Sequence, residues 1–410
     1  MAFSTSLSGV NAAQSDLDVI SNNIANSSTT GFKTGRAEFG DVYAQSLLGT
    51  TTPTPGQGVK VIGITQQFSQ GDLEFTDNAL DVAINGDGFF QVKDQGVVEY
   101  TRAGAFKIDK DGYISTVSGA RVQGFQVDAT TGAVTGNIGD IQTQTALLDP
   151  KATTTATLTG NLDAGASEPA TGTFSATDPT SYNFTTSLAV FDSKGNSHTL
   201  DLYFVKTSTA NQWNVLSYLD GATTTGGATT PAISALPFST AGAYDSTGNK
   251  GTVSLTQSVT GAVDLTIALD ITGFTQYGTD FAVTTSAQNG YSAGQLSSIE
   301  VSDTGLVSAR YSNGISASMG QFALADFQNP NGLQPVGSTN WVETYKSGMP
   351  VLNKAGNANL GLIQGFALEQ SNVQITQELV DLIVAQRNFQ ANAQVVQAED
   401  AITQTIINMR

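Results

Sequence analysis

Cysteine is absent from the 410-residue chain, and histidine occurs once, as His198. No disulfide, thiolate metal site or cysteine nucleophile is open to it, and acid–base chemistry falls to carboxylates. Charge is scarce as well: Asp, Glu, Lys and Arg make up 13% of the residues, about half the usual globular share. Seventeen basic side chains face 35 acidic ones, a net charge of −18. A surface of that sign repels phosphate, so no nucleic-acid partner is expected. No apolar run reaches the roughly 18 residues of a membrane-spanning helix, so no membrane insertion is expected either. The start, MAFSTSLSGVN, has no basic stretch followed by an apolar one and does not resemble a cleavable secretory signal.

Motifs that carry catalysis are missing too. Trp213 and Trp341 are the only tryptophans and nothing clusters around them in sequence, which disfavours an extracellular carbohydrate enzyme with paired carboxylates or an aromatic platform. Asp109, Asp111 and Gly112 open like a calcium loop but lack the later ligands and closing Glu, so a β-turn is expected there. His198 has no second histidine for a metal site and is expected as a surface polar residue. No catalytic residue, cofactor site or metal site is expected, and the chain is taken not to be an enzyme.

What is present is a nested pattern. Leu7, Val10, Leu17, Ile20 and Ile24 recur at helical steps with polar residues around them, and the turn chemistry of SSTTG ends this helix near Asn26. From Phe366 to Arg410 there is no Gly or Pro; a helix through that span would be about 65 Å long. Its main seam is Leu368, Ile375, Leu379, Leu382, Phe389 and Val396. Between the two, short strand signals dominate. Asn85-Gly86 precedes GFFQV, and Val263, Leu265, Ile267, Leu269 and Ile271 alternate strictly with polar or small residues. From 152 to 309, Lys194, Lys206 and Lys250 face twelve acidic residues.

The expected class is α+β, with long terminal helices pairing as a coiled coil and two or three mainly-β domains nested between them. The expected segments are an N-terminal core helix (1–26), a stalk (27–71), the first half of an inner β domain (72–150), an inserted outer β domain (151–285), the second half of the inner domain (286–365) and a C-terminal core helix (366–410). Gly31, Phe32 and Lys33, with Asn26, are expected at the bend out of the first helix: glycine for the turn, Phe as anchor, Lys for helix-end carbonyls or a neighbour. Arg102 and Arg387 are expected as ion-pair or amide partners at subunit contacts.

On the C-terminal helix Gln386, Gln390, Gln394, Gln397 and Gln404 fall within an arc about 80° wide. Phe389, Val396 and Ile407 lie to one side, and Val395, Ile402 and Ile406 to another. Two apolar faces and a neutral amide stripe fit a poorly charged bundle helix. The sharper alternative is a helix packed on several sides in a polymer, its amide face lining a wet channel.

Three separated blocks resemble bacterial flagellar rod and hook axial proteins. They are ANSSTTGFKTG (25–35), NGDGFFQV (85–92) with YTRAGAFKIDKDGYIST (100–116), and EQSNVQITQELVDLIVAQRNFQANAQVV (369–396). Rod members are shorter and lack so large a middle insertion, so the segment at about 150–285 aligns the chain with the hook members; a rod-type axial subunit is the alternative. The resemblance implies an extracellular tubular homopolymer that acts as a universal joint between motor and filament. Its terminal helices would form an inner tube around an export channel. The partners it implies are a flagellar type III export apparatus, a hook cap protein, a distal rod protein and a hook–filament junction protein.

Overall fold

The alternation at 265–271 becomes the longest strand among the described residues, Leu265–Tyr277, with Leu265, Ile267, Leu269 and Ile271 buried and Thr266 and Ala268 exposed. Val263, placed in the same stripe by its spacing, lies before the strand and is 72% exposed. The computed structural model describes residues 2–42, 56–128, 132–143, 147–224, 229–246 and 250–408. Residues 43–55 of the expected stalk and the side chain of Ile406 lie outside the described residues.

The chain divides into two compact units, the first comprising Met1–Thr145, Ser298–Arg310 and Ser316–Arg410, the second Ala146–Ser297 and Tyr311–Ile315. In the second unit a four-stranded sheet contains Thr155–Asp163, Thr252–Gln257, Leu265–Tyr277 and Ala282–Gln288. A five-stranded sheet is built on Phe184–Phe191, Ser197–Lys206 and Gln212–Leu219. Both contribute to one core around Trp213, Phe204, Phe274, Leu158 and Leu269. Trp213 is fully buried, and its Nε1 donates to Gln276 Oε1 at 3.4 Å, which satisfies the one polar atom of the largest core side chain. His198 is not a loose surface group: its Nδ1 lies 2.6 Å from Asp220 Oδ2, and Asp192 stands 3.4 Å from its Nε2. The hydrogen bond to Asp220 is the main cause that raises its pKa above the ordinary imidazole value.

In the first unit most strands belong to a 13-stranded sheet. Arg121–Val127 pairs antiparallel with Ser316–Phe322, so the chain segments before and after the second unit join in one ladder. Phe90, Phe106 and Phe322 pack ring against ring beneath it, with Val82, Ile84, Ile114 and Leu324. Asp109 Oδ1 accepts from the N–H groups of Asp111 and Tyr113, so DKDG is a turn closed by its own carboxylate.

The α+β expectation is corrected: the chain is mainly β, 46% strand and 16% helical, and the described residues contain two α-helices, α1 (Ala2–Ala25) and α2 (Ile375–Asn408). They touch, but not as a coiled coil. The close approach is made by small and polar side chains: Gly9 against Asn392, with Ala12, Ala13 and Ala385 buried. Three of the large aliphatics that would serve as knobs in facing holes stay outside, with Leu7 45%, Ile375 50% and Leu379 46% exposed. The C-terminal helix also begins later than its seam implies. Ala367–Glu369 is a strand paired with Leu73–Phe75, so Leu368 belongs to a sheet and not to helix packing.

Candidate functional site

Four chain segments meet where the helices enter the body of the first unit. At the end of α1, Asn26 Nδ2 donates to the Asn22 carbonyl at 2.9 Å, and Thr29 Oγ1 donates to Asn26 Oδ1 at 3.1 Å. These bonds close the last helical carbonyls and start the turn. Gly31 then takes φ +70° and donates its N–H to the Glu369 carbonyl at 2.8 Å. A β-carbon there would lie 2.5 Å from the Ala103 nitrogen, so both conformation and space require glycine.

The reversal at Gly31 directs Lys33 inward. Its Nζ donates to Glu369 Oε1 at 2.5 Å and to the Ser69 carbonyl at 2.7 Å. Arg102 Nη1 donates to the other oxygen of Glu369 at 3.2 Å, and the Gly71 N–H donates to Oε1 at 3.0 Å. The side chains of Lys33 and Glu369 are fully buried and that of Arg102 is 2% exposed. One carboxylate thus serves two cations in a dry site. Burial pushes the pKa of both Lys33 and Arg102 down, and Glu369 opposes that shift in each. Arg102 is therefore an ion-pair partner, and the carboxylate it pairs with belongs to its own chain.

A second layer of amides surrounds this ion cluster. Asn372 Oδ1 accepts from the Thr34 N–H at 2.8 Å and its hydroxyl at 2.7 Å, while Asn372 Nδ2 donates to the Gln67 carbonyl at 2.8 Å. Asn23, buried on α1, bonds both backbone groups of Gly35 at 2.8 and 2.9 Å and donates to Glu378 of α2 at 3.3 Å. Gly35 opens β1 (Gly35–Asp41), which pairs antiparallel with β2 (Val59–Gln66). The arrangement fixes the exit direction of both helices and of this ribbon.

The other expected residues are distributed as follows. Ile20 is buried; Val10, Leu17, Ile24, Leu382, Phe389, Val396, Asn26 and Phe32 are half-buried. Gln386, Gln390, Gln394, Gln397, Gln404 and Arg387 are all exposed on α2. Glu369, Asn372 and Asn23 were not singled out by the sequence reading. The one available signal is the polar run EQSN before an apolar helix, which has the form of a helix entry but does not indicate burial.

Between α1, α2 and β1 lies a cavity of about 390 Å³ lined by Asp16, Glu378, Asp381 and Arg36. Desolvation, followed by the neighbouring carboxylate of Asp381, raises the pKa of Asp16; for Glu378 desolvation is again the largest cause, and Asp381 and Asp16 add to it. A raised carboxyl pKa favours the folded state below the unfolded pKa, and that contribution is lost as pH rises through the folded value. Glu378→Gln keeps an acceptor for Asn23 and removes the repulsion. It is expected to stabilise the first unit by roughly 0.4–1 kcal/mol near neutral pH, from two like-charge pairs at about 0.2–0.5 kcal/mol each. The gain should vanish below about pH 4, where an ordinary carboxyl is protonated. Denaturant melts at pH 3.5 and 7 check this; an equal gain at both would refute it.

Four family descriptions match in chain order. They are "Flagella basal body rod protein" at residues 3–33, "Flagellar hook protein FlgE/F/G D1 domain" at 83–155, "Flagellar basal body protein FlaE D2 domain" at 161–291 and "Flagellar basal body rod FlgEFG protein C-terminal" at 364–409. The flagellar hook protein FlgE of Salmonella typhimurium is 39% identical over 415 residues, covering 100% of both chains. The chain belongs to the flagellar hook protein family. The hook protein of Escherichia coli K12 is likewise 39% identical with full coverage of both chains, and that of Borreliella burgdorferi is 33% identical over 98% of each. The crystal structure of Helicobacter pylori flagellar hook protein FlgE2 shares the fold, with a TM-score of 0.53 at 15% identity, over 72% of this chain and 100% of that one. In this hook-family chain the buried Lys33–Glu369–Arg102 cluster spans three of the matched regions or their flanks: the end of the first, the D1 region and the C-terminal region.

Proposed function

We propose that the chain is the structural subunit of the bacterial flagellar hook. It assembles with copies of itself into a curved tube that carries torque from rod to filament and encloses the export channel. The full-length match to hook proteins, 39% identical over all of both chains, carries this reading. The helices add physical support, since α2 alone exposes Ile375, Leu379, Val380, Ile383, Val384, Val395 and Ile402. Burying such side chains contributes roughly 1.5–3 kcal/mol each, and neighbouring copies in a tube would supply the cover. The helices would form the inner tube, 27–71 a stalk, 72–150 with 286–365 an inner domain, and 151–285 an outer one. Export without a cleavable signal, insertion beneath a hook cap, and contact with distal rod and hook–filament junction proteins complete the proposal.

Electron microscopy of basal bodies from cells lacking the gene tests the assignment. Rods that end without a hook are expected. Missing or truncated rods would make the chain a rod-type axial subunit instead, and intact hooks with filaments would overturn the reading.

The glutamine stripe gives a second expectation. An amide wall offers a passing unfolded chain neither charge nor apolar surface to hold it. Gln390→Leu with Gln394→Leu, at exposed positions, should leave folding intact and slow secretion of later subunits several-fold, measured as filament protein exported per minute. An unchanged export rate would remove the stripe from the channel.

A further inference from the structure

His198 stands between two carboxylates that come from different turns of the second unit. Asp220, just after the strand Gln212–Leu219, approaches its Nδ1 to 2.6 Å. Asp192, in the turn between Phe184–Phe191 and Ser197–Lys206, stands 3.4 Å from its Nε2. That nitrogen is buried and makes no hydrogen bond. A neutral imidazole has one N–H; when Asp220 takes it, the lone pair of Nε2 faces a carboxylate oxygen. Only the imidazolium offers a proton to both sides.

Asp192 also organises its own turn. Its Oδ1 accepts from the Lys194 and Asn196 N–H groups, both at 2.8 Å, and its Oδ2 accepts from Asn196 Nδ2 at 2.9 Å. Burial opposes its charge, but these hydrogen bonds hold its pKa at about 2, so it stays anionic. The turn packs closely on the root of the unit: a β-carbon on Gly195, φ +83°, would lie 2.8 Å from Pro150 and 3.2 Å from the Ala293 nitrogen. These two residues lie on the segments by which the chain enters and leaves the unit, which pair at Leu148 with Gly294 and at Lys151 with Tyr291. Phe191 is bonded through both backbone groups to Thr153, so loosening is confined to 192–196.

We propose that His198 is a proton-operated latch: its imidazolium ties the Asp192–Asn196 turn to Asp220, and loss of the proton frees that turn from the root of the second unit. Other charged groups lie around it. Lys194 is exposed, with its Nζ beside Gly261; Asp201 is on the same strand; Asp149 and Lys151 flank Pro150; and Asp264 follows Val263, whose N–H donates to Ser193. Among the described residues, the carboxylates within ion-pair distance of the imidazole are those of Asp192 and Asp220. The Asp220 hydrogen bond raises the His198 pKa, burial opposes it, and Asp192 adds to the rise. The latch is therefore closed below the ordinary imidazole value of about 6.5 and opens as pH rises through the folded value.

Because His198 is the only histidine, its C2–H resonance reports the latch directly in the free chain. The titration midpoint is expected above about 6.5; a midpoint at or below it would overturn the proposal. Asp220→Asn keeps an acceptor for the Thr199 N–H and suits the positive φ of +50°, and it should lower the midpoint; an unchanged one would also overturn the proposal. Hydrogen exchange read by mass spectrometry tests the release. After correction for intrinsic rates, peptides within 191–197 should exchange at least about fivefold faster at pH 8.5 than at pH 6. In His198→Gln, which retains the α-amino group as the other group ordinarily titrating in this window, the two rates should be equal. Equal rates in the wild type, or a pH difference that survives in the variant, would show that His198 does not hold the turn.

Discussion

Glu369→Ala is expected to cost the first unit about 3–5 kcal/mol, the range for removing one partner of a buried ion pair. The variant leaves Lys33 and Arg102 facing each other across a dry space, and neither can reach bulk water, since their side chains are at most 2% exposed. Lys33 can relieve part of the strain by losing its proton, because burial and Arg102 already act in that direction; Arg102 has no such outlet. The Gly71 N–H also loses its acceptor. Against a typical total of about 5–15 kcal/mol, this loss is enough to abolish hooks at 37 °C. Urea unfolding of the purified chain measures it, with a spectroscopic reporter in each unit. The transition of the first unit should move and that of the second, built on the Trp213 core, should stay. Replacing the whole cluster by Lys33→Met, Glu369→Leu and Arg102→Met should recover much of the loss, since apolar groups of similar volume often replace buried ion clusters at little cost. A Glu369→Ala loss below about 1 kcal/mol, the scale of exposed pairs, would mean that water reaches the site.

The sequence made parts of this architecture legible where one local rule decides the outcome. Leu265 to Ile271 alternate because a strand with one dry face needs period two, and the strand is there. The coiled coil failed because a seam of aliphatics states only that a helix has an apolar face, not which partner covers it. In the chain, Gly9, Ala12, Ala13 and Ala385 let the helices approach, while Leu7 and Leu379 remain exposed. Leu368 fits the helical seam by spacing alone. The demand that Glu369 sit between Lys33 and Arg102 holds that stretch in a strand and delays α2 to Ile375. Glu369 itself could not be found from one sequence, because its partners lie 336 and 267 residues away. Lys33 and Gly31 stood out only because they share a motif with a turn.

Gly31→Ala is expected to destabilise the first unit by roughly 2–5 kcal/mol. Two costs combine: about 1–2 kcal/mol for an L-residue in the left-handed region, and about 1–3 kcal/mol for overpacking. The atoms in the way are the Ala103 nitrogen at 2.5 Å and the Arg102 carbonyl carbon at 2.8 Å, which are backbone and cannot swing aside as a side chain would. Moving them drags Arg102 from Glu369. Gly119→Ala is the matched control, since Gly119 also has positive φ, +98°, but open space around it; it should show the conformational cost alone. Because Gly31 and Glu369 act on one junction, their effects should not add. Once Glu369→Ala has loosened the cluster, Gly31→Ala should cost at least 1 kcal/mol less than in the wild-type background. A double-mutant cycle by urea unfolding measures the difference. Strict additivity would mean that the bend at Gly31 and the buried ion cluster are separate devices, and that the helix exit is not held by Lys33.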